Sequence, residues 1–406
     1  MKTNLTTFLF FILLSTTGFA QQYGWVDISH NLPNSPGTVT LTDMHWISQN
    51  EGWICSGFTG EIFHTSDGGQ TFTIQTTQFN TNAIYMFNSL EGYSGGAEGR
   101  VYKTSNGGTT WVVHGSIGGP LLDIDFPPNS KTGYCCGDQG KIYKITSTGI
   151  SSMSSGVTAH LRSISFPSSD LGWTCSNGII RHFDGVTWYE QDSPLSSYNG
   201  IYMINNTTGW AVGDFGVIVN TTDGGLSWKY QANPDASNRN LNDVYFLNAS
   251  EGWAVGFNGI ILHTTNGGKL WTIEGAGLTT NMLRSVQFTS STNGYVLGNK
   301  GTLLKFGILT DVEEPPAQST GFTLEQNYPN PFNKTTTITW QQPEKTHVVL
   351  KVCDFKGSEL KTLVDGEQER GEHNVKFDAA GLPSGIYVYK FQANGYIKSK
   401  KMFFLK

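Results

Sequence analysis

Short runs of alternating apolar and polar residues recur along most of the chain. Examples are LRSISF at 161–166, LNDVYF at 241–246 and LRSVQF at 283–288. Alternation with a period of two is typical of β-strands that bury one face. Turns with paired glycines follow the strands, and glycine readily adopts the positive φ that such turns need. The pattern therefore predicts an all-β protein made of many short strands.

A Gly-aromatic pair marks the second strand of each repeat. Its seven aromatic residues are Trp53, Tyr93, Tyr134, Trp173, Trp210, Trp253 and Tyr295. They follow one another at a nearly constant interval of roughly 40 residues, which is typical of a propeller blade with four strands. We predict a seven-bladed β-propeller over residues 21–306.

An Asp-box turn joins the third and fourth strands of several repeats. It reads TSDGGQTF at 65–72, TSNGGTTW at 104–111, TTDGGLSW at 221–228 and TTNGGKLW at 264–271. Asp67, Asn106, Asp223 and Asn266 are each placed to accept hydrogen bonds from backbone donors inside the turn. Because these residues recur around the ring, we interpret them as structural rather than as catalytic residues or metal ligands.

The last repeat lacks a fourth strand, and the first residues after the N-terminal segment supply a match for it. YGWVDI at 23–28 resembles the fourth strands WVVHG at 111–115 and WTIEG at 271–275. Trp25 would then occupy the position of Trp111 and Trp271. A ring closed in this way leaves no exposed sheet edge. We predict that residues 23–28 complete the last blade.

The N-terminal segment, 1–20, is typical of a signal peptide. Lys2 precedes the apolar run FLFFILL at 8–14, and Gly18 and Ala20 supply the small residues of a cleavage site. The run is too short to span a bilayer of about 30 Å. We expect cleavage after Ala20, with no transmembrane segment left afterwards.

Composition argues against several classes of function. Residues 21–306 carry 13 basic and 20 acidic side chains, a net charge of −7, and nucleic-acid binding needs a basic face. No cluster of His, Cys and Asp has the spacing of a metal site, and no glycine-rich segment is placed as a phosphate loop. We predict no metal, no cofactor and no nucleic-acid partner. Cys55, Cys136 and Cys175 take the place of core aliphatic residues, so we expect buried thiols.

The C-terminal region forms a separate domain. Residues 307–321 are an acidic linker that contains proline, and several short alternating strands follow within residues 322–406. They include HVVLKVCDF at 347–355 and GIYVYKFQA at 385–393. This number of strands in about 85 residues predicts an immunoglobulin-like β-sandwich.

Three motifs of this domain resemble the type A C-terminal sorting domain of the type IX secretion system. The residues that carry the likeness are Asn327, Tyr328, Pro329, Asn330, Pro331 and Phe332, then Gly385, then Lys400 and Lys401 near the basic-apolar end. The resemblance implies a Bacteroidota-type bacterium and the type IX secretion machinery as a partner. It also implies a secreted or cell-surface protein whose tail is removed after export.

The propeller repeats resemble the photosystem II assembly and stability factor family, most clearly through GWAVGDFG and GWAVGFNG at 209–216 and 252–259. The Asp-box is similar to that of sialidases, sortilin-type receptors and xyloglucan-cleaving glycosidases. Members of these families differ in activity, so the resemblance implies a fold and not a chemistry.

The inner strands supply a candidate ligand-binding rim. Its members are His45, Tyr85, Asp123, Asp125, Arg162, Tyr202, Tyr245 and Arg284. One hypothesis is a non-catalytic binder of an unknown protein or glycan, with no catalytic residues. The alternative is a polysaccharide-acting glycoside hydrolase that uses Asp123 and Asp125, because two carboxylates on one strand face meet the spacing such enzymes need. A third interpretation is that the inner aspartates bond backbone groups and hold strands in place.

Overall fold

The computed structural model describes residues 23–33, 39–57, 59–78, 80–308, 322–354, 359–394 and 396–405. The chain divides into two compact units, residues 1–310 and 311–406. The predicted signal peptide at 1–20 and all but two residues of the predicted linker lie outside the described residues. Each unit is described by itself below.

The first unit contains seven four-stranded antiparallel sheets. The first elements of the described residues are β1, Tyr23–Asp27, and a short 3-10 helix, Ser29–Asn31. Blade one consists of β2–β5, at Leu41–Trp46, Gly52–Ser56, Glu61–Thr65 and Thr73–Thr76. Blade two consists of β6–β9, at Ala83–Met86, Gly92–Gly95, Arg100–Thr104 and Val112–Ser116. Blade three consists of β10–β13, at Leu121–Asp125, Gly133–Gly137, Ile142–Thr146 and Gly149–Met153.

The remaining blades repeat this plan. Blade four consists of β14–β17, at Ser163–Ser168, Leu171–Ser176, Ile179–Phe183 and Trp188–Glu190. Blade five consists of β18–β21, at Tyr198–Met203, Gly209–Gly213, Ile218–Thr221 and Lys229–Tyr230. Blade six consists of β22–β25, at Leu241–Phe246, Gly252–Gly256, Ile261–Thr264 and Thr272–Glu274. Blade seven combines β26–β28, at Leu283–Ser290, Asn293–Gly298 and Leu303–Ile308, with β1.

The strands of each blade are called A to D in the order in which they pair. Strand A of every blade contacts strand A of both neighbouring blades, and β2 contacts both β6 and β26. The ring is therefore closed, and the seven A strands surround a central channel. Turns between strands B and C are bonded to the residues before strand A, as in Asp214 N–H to Ser197 O and Phe257 N–H to Asn240 O. The strand-A starts, these B–C turns and the D–A loops together form one face of the ring, called the A-start face. Four of the B–C turns are 3-10 helices, at Asp138–Gly140, Asp214–Gly216, Phe257–Gly259 and Asn299–Gly301.

The N-terminal strand forms the outer strand of blade seven. β1 pairs with β28 from Tyr23 opposite Ile308 to Asp27 opposite Leu304. The Trp25 ring is buried against Phe288 and Phe306, and its Nε1 donates to Glu274 Oε2 at 3.0 Å. Strand β28 runs to residue 308, past the predicted end of the propeller at 306, because Tyr23 and Gly24 pair with its last two positions.

The Gly-aromatic pair interlocks neighbouring blades. The aromatic ring of strand B in one blade stacks on a ring at the end of strand A in the next: Trp210 lies 3.4 Å from Phe246 and Trp253 lies 3.4 Å from Phe288, between ring centroids. The other face of the strand-A ring covers the glycine of its own blade, because a Cβ on Gly252 would lie only 2.5 Å from the Phe246 ring. The Gly-aromatic repeat thus reflects a stack of three layers: the glycine of one blade, the strand-A ring of that blade and the strand-B ring of the previous blade.

Strand D of one blade also holds the Asp-box of the next. Gln231 Nε2 donates to Gly267 O at 2.8 Å, and its Oε1 accepts from Trp271 Nε1 at 3.1 Å. Gln75 and Gln191 make the same pair of bonds in blades one and four. In blade six Glu274 takes this position and receives Trp25, so the N-terminal strand is bound as the other D strands are.

The Asp-box side chains bond within their own turns. Asp67, Asn106, Asp223 and Asn266 each accept from the backbone N–H four residues later, at 2.8 to 2.9 Å. These bonds are the ones that the structural interpretation predicts. The five cysteines are buried and free, as the comparison with core aliphatic residues predicts for three of them.

The second unit contains two sheets. The strands are β29–β35, at Thr323–Leu324, Thr335–Gln342, Thr346–Asp354, Glu359–Gln368, Gly371–Asp378, Gly385–Ala393 and Tyr396–Phe404. One sheet has the order β29-β30-β33 and the other has the order β32-β31-β34-β35. Buried residues of both sheets form one core, which includes Trp340, Tyr389 and Phe391. The all-β class, the propeller and the two-sheet C-terminal domain agree with the sequence prediction.

Candidate functional site

A cavity of about 350 Å³ lies in the channel between the A strands. Six of the eight predicted rim residues line it: His45, Tyr85, Asp123, Asp125, Tyr202 and Tyr245. In most blades a β-bulge near the start of strand A shifts the register, as between Leu121 and Asp123 and between Leu241 and Asp243. After the bulge, alternate side chains of strand A point into the channel, and the six predicted residues that line the cavity hold such positions.

The two aspartates of blade three bond backbone groups with both of their oxygens. Asp123 accepts from Ile124 N–H at 2.7 Å and from Ile164 N–H, in blade four, at 2.8 Å. Asp125 accepts from Phe126 N–H at 2.8 Å and from Phe166 N–H, also in blade four, at 2.6 Å. Each carboxylate therefore connects its own strand to the next blade.

The same connection recurs around the channel with different side chains. Asp43 accepts from Ile84 N–H at 2.9 Å, and Asp243 accepts from Val286 N–H at 2.8 Å. Ser165 Oγ accepts from Met203 N–H at 3.0 Å. Gln287 Oε1 accepts from Trp46 N–H at 2.8 Å and so joins blade seven to blade one. The third interpretation of the aspartates is the one that these contacts support.

Burial dominates the electrostatics of the cavity. It raises the pKa of Asp123 to about 6, that of Asp125 to about 7 and that of Asp243 to about 7, although backbone hydrogen bonds oppose the shift. Burial and the neighbouring Asp123 raise the pKa of Asp43 well above its usual range. Burial lowers the pKa of His45 to about 4, so at neutral pH the ring is uncharged and accepts from Met86 N–H at 3.3 Å through Nδ1.

The aromatic members pack in pairs along the channel. Tyr85 lies 4.4 Å from the His45 ring, and Tyr202 lies 5.0 Å from Tyr245, between ring centroids. Burial raises the pKa of the Tyr85 and Tyr202 hydroxyls, so both stay protonated. The cavity therefore offers neutral hydroxyl groups and carboxylates that are already hydrogen-bonded.

Arg162 and Arg284 do not line this cavity and belong to the A-start face instead. Arg162 Nη1 donates to Asn199 Oδ1, and Asn199 Nδ2 in turn donates to Asp214 Oδ1 at 3.0 Å. Arg284 Nε donates to Asn299 Oδ1 at 2.6 Å. The side-chain partners that these bonds give Arg162 and Arg284 are thus neutral amides.

The sequence prediction missed the amide partners on this face. Asn82, Asn199 and Asn242 stand one residue before the channel-facing position and donate to a strand-A carbonyl of the next blade, at 2.6 to 2.9 Å. Arg162 and Arg284 occupy the same position in blades four and seven. Alignment of the repeats at this column would have separated the two arginines from the channel set.

Metal binding finds no support in the part of the chain that the structure describes, where no three His, Cys, Asp or Glu side chains are grouped to hold an ion. A helix long and apolar enough to cross a bilayer is likewise absent from the described residues.

The predicted sorting residues meet in the second unit. Asn330 Oδ1 accepts from Phe403 N–H at 2.8 Å, and Phe332 N–H donates to Phe403 O at 2.9 Å. Asn327 is buried, and its N–H donates to the Tyr389 hydroxyl at 2.8 Å. Of the other members, Tyr328 is exposed, Pro329 O accepts from Asn327, Pro331 follows Asn330, and Gly385, Lys400 and Lys401 lie on the paired strands β34 and β35. Three motifs that are distant in sequence thus form one contiguous structure.

Comparisons with known proteins agree with this architecture. Residues 181–276 match the family model described as photosynthesis system II assembly factor YCF48, and residues 326–404 match that described as secretion system C-terminal sorting domain. None of the curated proteins compared matches the chain.

Solved structures with a similar fold include two YCF48 structures and a WD40 propeller domain. A YCF48 bound to a D1 peptide has 19% identity and a TM-score of 0.59, and the match covers 71% of this chain and 98% of that one. YCF48 from Cyanidioschyzon merolae has 18% identity and a TM-score of 0.57, with coverage of 70% and 98%. The WD40 propeller domain of Doa1 has 9% identity and a TM-score of 0.59, with coverage of 71% and 97%. At these identities the likeness shows the fold alone.

The C-terminal match also indicates the export route, because this sorting domain accompanies passage through the type IX secretion system to the cell surface or the medium. The chain is thus an exported β-propeller similar to the YCF48 assembly factors, joined to a C-terminal domain similar to the secretion system C-terminal sorting domain.

Proposed function

We propose that the propeller is a non-catalytic module that binds a polypeptide segment on its A-start face. The observation that carries this proposal is the bonding of Asp123 and Asp125. All four of their carboxylate oxygens accept backbone N–H groups. These aspartates connect neighbouring blades. We therefore expect groups outside the channel to make the contacts with a partner.

A polypeptide ligand is supported by two features. One propeller of the same fold, a YCF48, is bound to a D1 peptide, so this architecture can hold a peptide. On the A-start face, Arg162 and Arg284 donate to the neutral amides of Asn199 and Asn299. Guanidinium groups of this kind are frequent in protein interfaces because they donate several hydrogen bonds in fixed directions.

The hydrolase alternative has one feature in its favour and one against it. A carboxyl group with a pKa near 6 or 7, as for Asp123 and Asp125, suits a general acid at neutral pH. A glycosidase also needs carboxyl oxygens directed at the scissile bond or at a water molecule. Here those oxygens are bonded to the backbone, so binding without turnover is the better-supported function.

The test compares binding and turnover on the same purified full chain. Peptide arrays should show saturable binding that weakens about tenfold or more in Arg162→Ala and Arg284→Ala, because each loses a guanidinium donor. Lys229→Ala, an exposed change on strand D of blade five, should bind as the wild type does. Hydrolysis of a polysaccharide panel that disappears in Asp123→Ser and Asp125→Ser would establish the hydrolase instead.

A further inference from the structure

Two exposed phenylalanine residues stand in adjacent B–C turns on the A-start face, one in blade five and one in blade six. Phe215 is 82% exposed and Phe257 is 36% exposed. Their backbone N–H groups bond the same residue, since Phe215 donates to Asn240 Oδ1 and Phe257 donates to Asn240 O, both at 2.9 Å. The two adjacent B–C turns are therefore both bonded to Asn240, and each turn presents an exposed aromatic side chain.

Phe215 has an unfavourable backbone conformation that burial does not offset. Its φ is 57° and its ψ is 26°, in the left-handed region where a side chain with a Cβ is disfavoured. The equivalent positions in other B–C turns have the same conformation and carry polar residues: Gln139, Asn258 and Lys300. A bulky apolar residue that keeps this conformation while it stays in solvent points to a role outside folding.

The D–A loop before strand β22 holds both turns rigidly. Asp235 is buried and receives two bonds from the Arg239 guanidinium, at 2.9 and 3.2 Å. Arg239 also donates to Asn258 O at 3.2 Å, and Asn233 Nδ2 donates to Gly216 O at 2.8 Å. The loop therefore bonds the B–C turns of both blades, and the phenyl groups stand on a preorganised support, which lowers the entropy cost of binding.

The charged and polar groups that support the two turns are engaged in hydrogen bonds. The Arg239 charge is met by Asp235, and the other polar groups that hold the turns are the amides of Asn233 and Asn240. Asp214, the neighbour of Phe215, accepts from Asn199, which connects it to Arg162. The two exposed rings thus lie on the same face as Arg162 and Arg284, and the guanidinium of the loop that supports their turns is already paired with Asp235.

We propose that Phe215 and Phe257 form the anchor site for an uncharged, apolar side chain of the bound polypeptide segment. The proposal rests on the peptide-binding function proposed above and names where its main contact is made. Aromatic residues on a rigid support commonly provide most of the binding energy of an interface. The apolar rings, next to a guanidinium that is already paired with Asp235, favour an apolar residue of the ligand over an acidic one.

The experiment selects a random peptide library, displayed on phage, against the full chain. Wild-type protein should enrich peptides that share an aromatic or aliphatic residue at one position. Synthetic copies of these peptides should bind about tenfold or more weakly to Phe215→Asn and Phe257→Asn, a loss typical of an anchor residue. Leu226→Ala is the matched control, because Leu226 is equally exposed at 82% in the Asp-box of blade five, and it should bind normally.

Phe215→Asn also separates binding from folding. Asparagine tolerates the left-handed region better than phenylalanine does, so its melting temperature should equal or exceed that of the wild type. Enriched peptides that bind both variants normally would overturn the anchor site and leave the peptide-binding function in place. Failure to enrich any peptide would overturn both proposals. Oligosaccharide binding, tested with cellohexaose and laminarihexaose, that is lost in both variants would overturn the peptide ligand.

Discussion

At the residue scale, the channel shows that different side chains can perform one structural task. Asp125, Ser165 and Gln287 all accept the backbone N–H of the next blade. Each of these side chains places an oxygen on strand A within hydrogen-bonding distance of that N–H group. The contact does not depend on the charge of the side chain. The carboxylates differ from the others only because burial makes their ionisation costly.

Asp125→Ser should keep the contact to blade four and remove a source of pH dependence. The folded-state pKa of Asp125 is about 7, against about 4 in an unfolded chain. The folded state therefore holds a proton that the unfolded state has lost, and the free energy of unfolding falls as the pH rises from about 4 to about 7. Denaturant titrations of both proteins across this window should give a shallower decline for the variant.

The other shifted carboxyl groups do not obscure this comparison. Asp43, Asp123 and Asp243, whose pKa values are also raised, remain in both proteins. Asp67 and Asp223, with pKa values lowered to about 2, lose stability only as the pH falls below about 4. Parallel curves for the wild type and the variant would contradict the raised pKa of Asp125.

At the element scale, neighbouring blades are joined by stacked aromatic rings and by hydrogen bonds from a strand-D side chain of one blade to the next blade. The Gly-aromatic pair is explained by the stack, because only glycine leaves room for the strand-A ring beneath the ring of the previous blade. In blade six Glu274 takes the place of the glutamine and accepts a hydrogen bond from the Trp25 indole. Both features depend on two blades at once.

Gly252→Ala should destabilise the propeller by about 1–3 kcal/mol, the usual cost of overpacking. The added Cβ would press on the Phe246 ring, which cannot retreat because Trp210 stacks on its other face. Denaturant unfolding measures the loss. Gly307→Ala is the control, since a Cβ there meets no atom within 4 Å; an equal loss in both variants would refute the stacking explanation.

Trp25→Ala should cost about 3–5 kcal/mol, as for a large buried aromatic residue. The change removes the packing of the indole ring against Phe288 and Phe306 and leaves Glu274 without its indole hydrogen-bond donor. Tyr23→Ala, at a partly exposed position of the same strand, should cost much less. Unfolding free energies that do not differ between these two variants would show that strand β1 contributes little to closure.

At the scale of the whole molecule, the two units have separate tasks, since the propeller carries the proposed binding face and the second unit carries the sorting signal. The signal is assembled by tertiary structure. Residues 330 and 332 bond the backbone of residues 403 and 405, so the motif and the C-terminal strand depend on each other.

A reporter that carries residues 322–406 should reach the cell surface in a bacterium with a type IX secretion system. The same reporter with residues 403–406 deleted should stay in the periplasm, because Asn330 and Phe332 lose their partners. Cell fractionation and surface labelling measure the two outcomes. Lys345→Ala, at an exposed ion pair with Glu369, should be exported normally; export of the truncated reporter would show that this contact is dispensable.

The sequence by itself determined the local elements and their number. Alternation, turn glycines and the Gly-aromatic pair recur at a regular interval in seven copies. Each copy contains the local pattern that sets its own backbone conformation. The strands, the blades and the position of Trp25 could therefore be predicted from the sequence. The motif around Asn330 and Phe332 could be recognised for the same reason, because it is contiguous in sequence.

Tertiary structure decided what the side chains on these elements do. The partner of Asp123 in the next blade, Ile164, lies about one full repeat away, and the bond exists only because neighbouring A strands are in register. Arg162 does not line the channel because it bonds Asn199 of the next blade, and the turns of Phe215 and Phe257 are linked because both bond Asn240. Such pairings are set by the closure of the ring, which brings together residues that no local pattern relates.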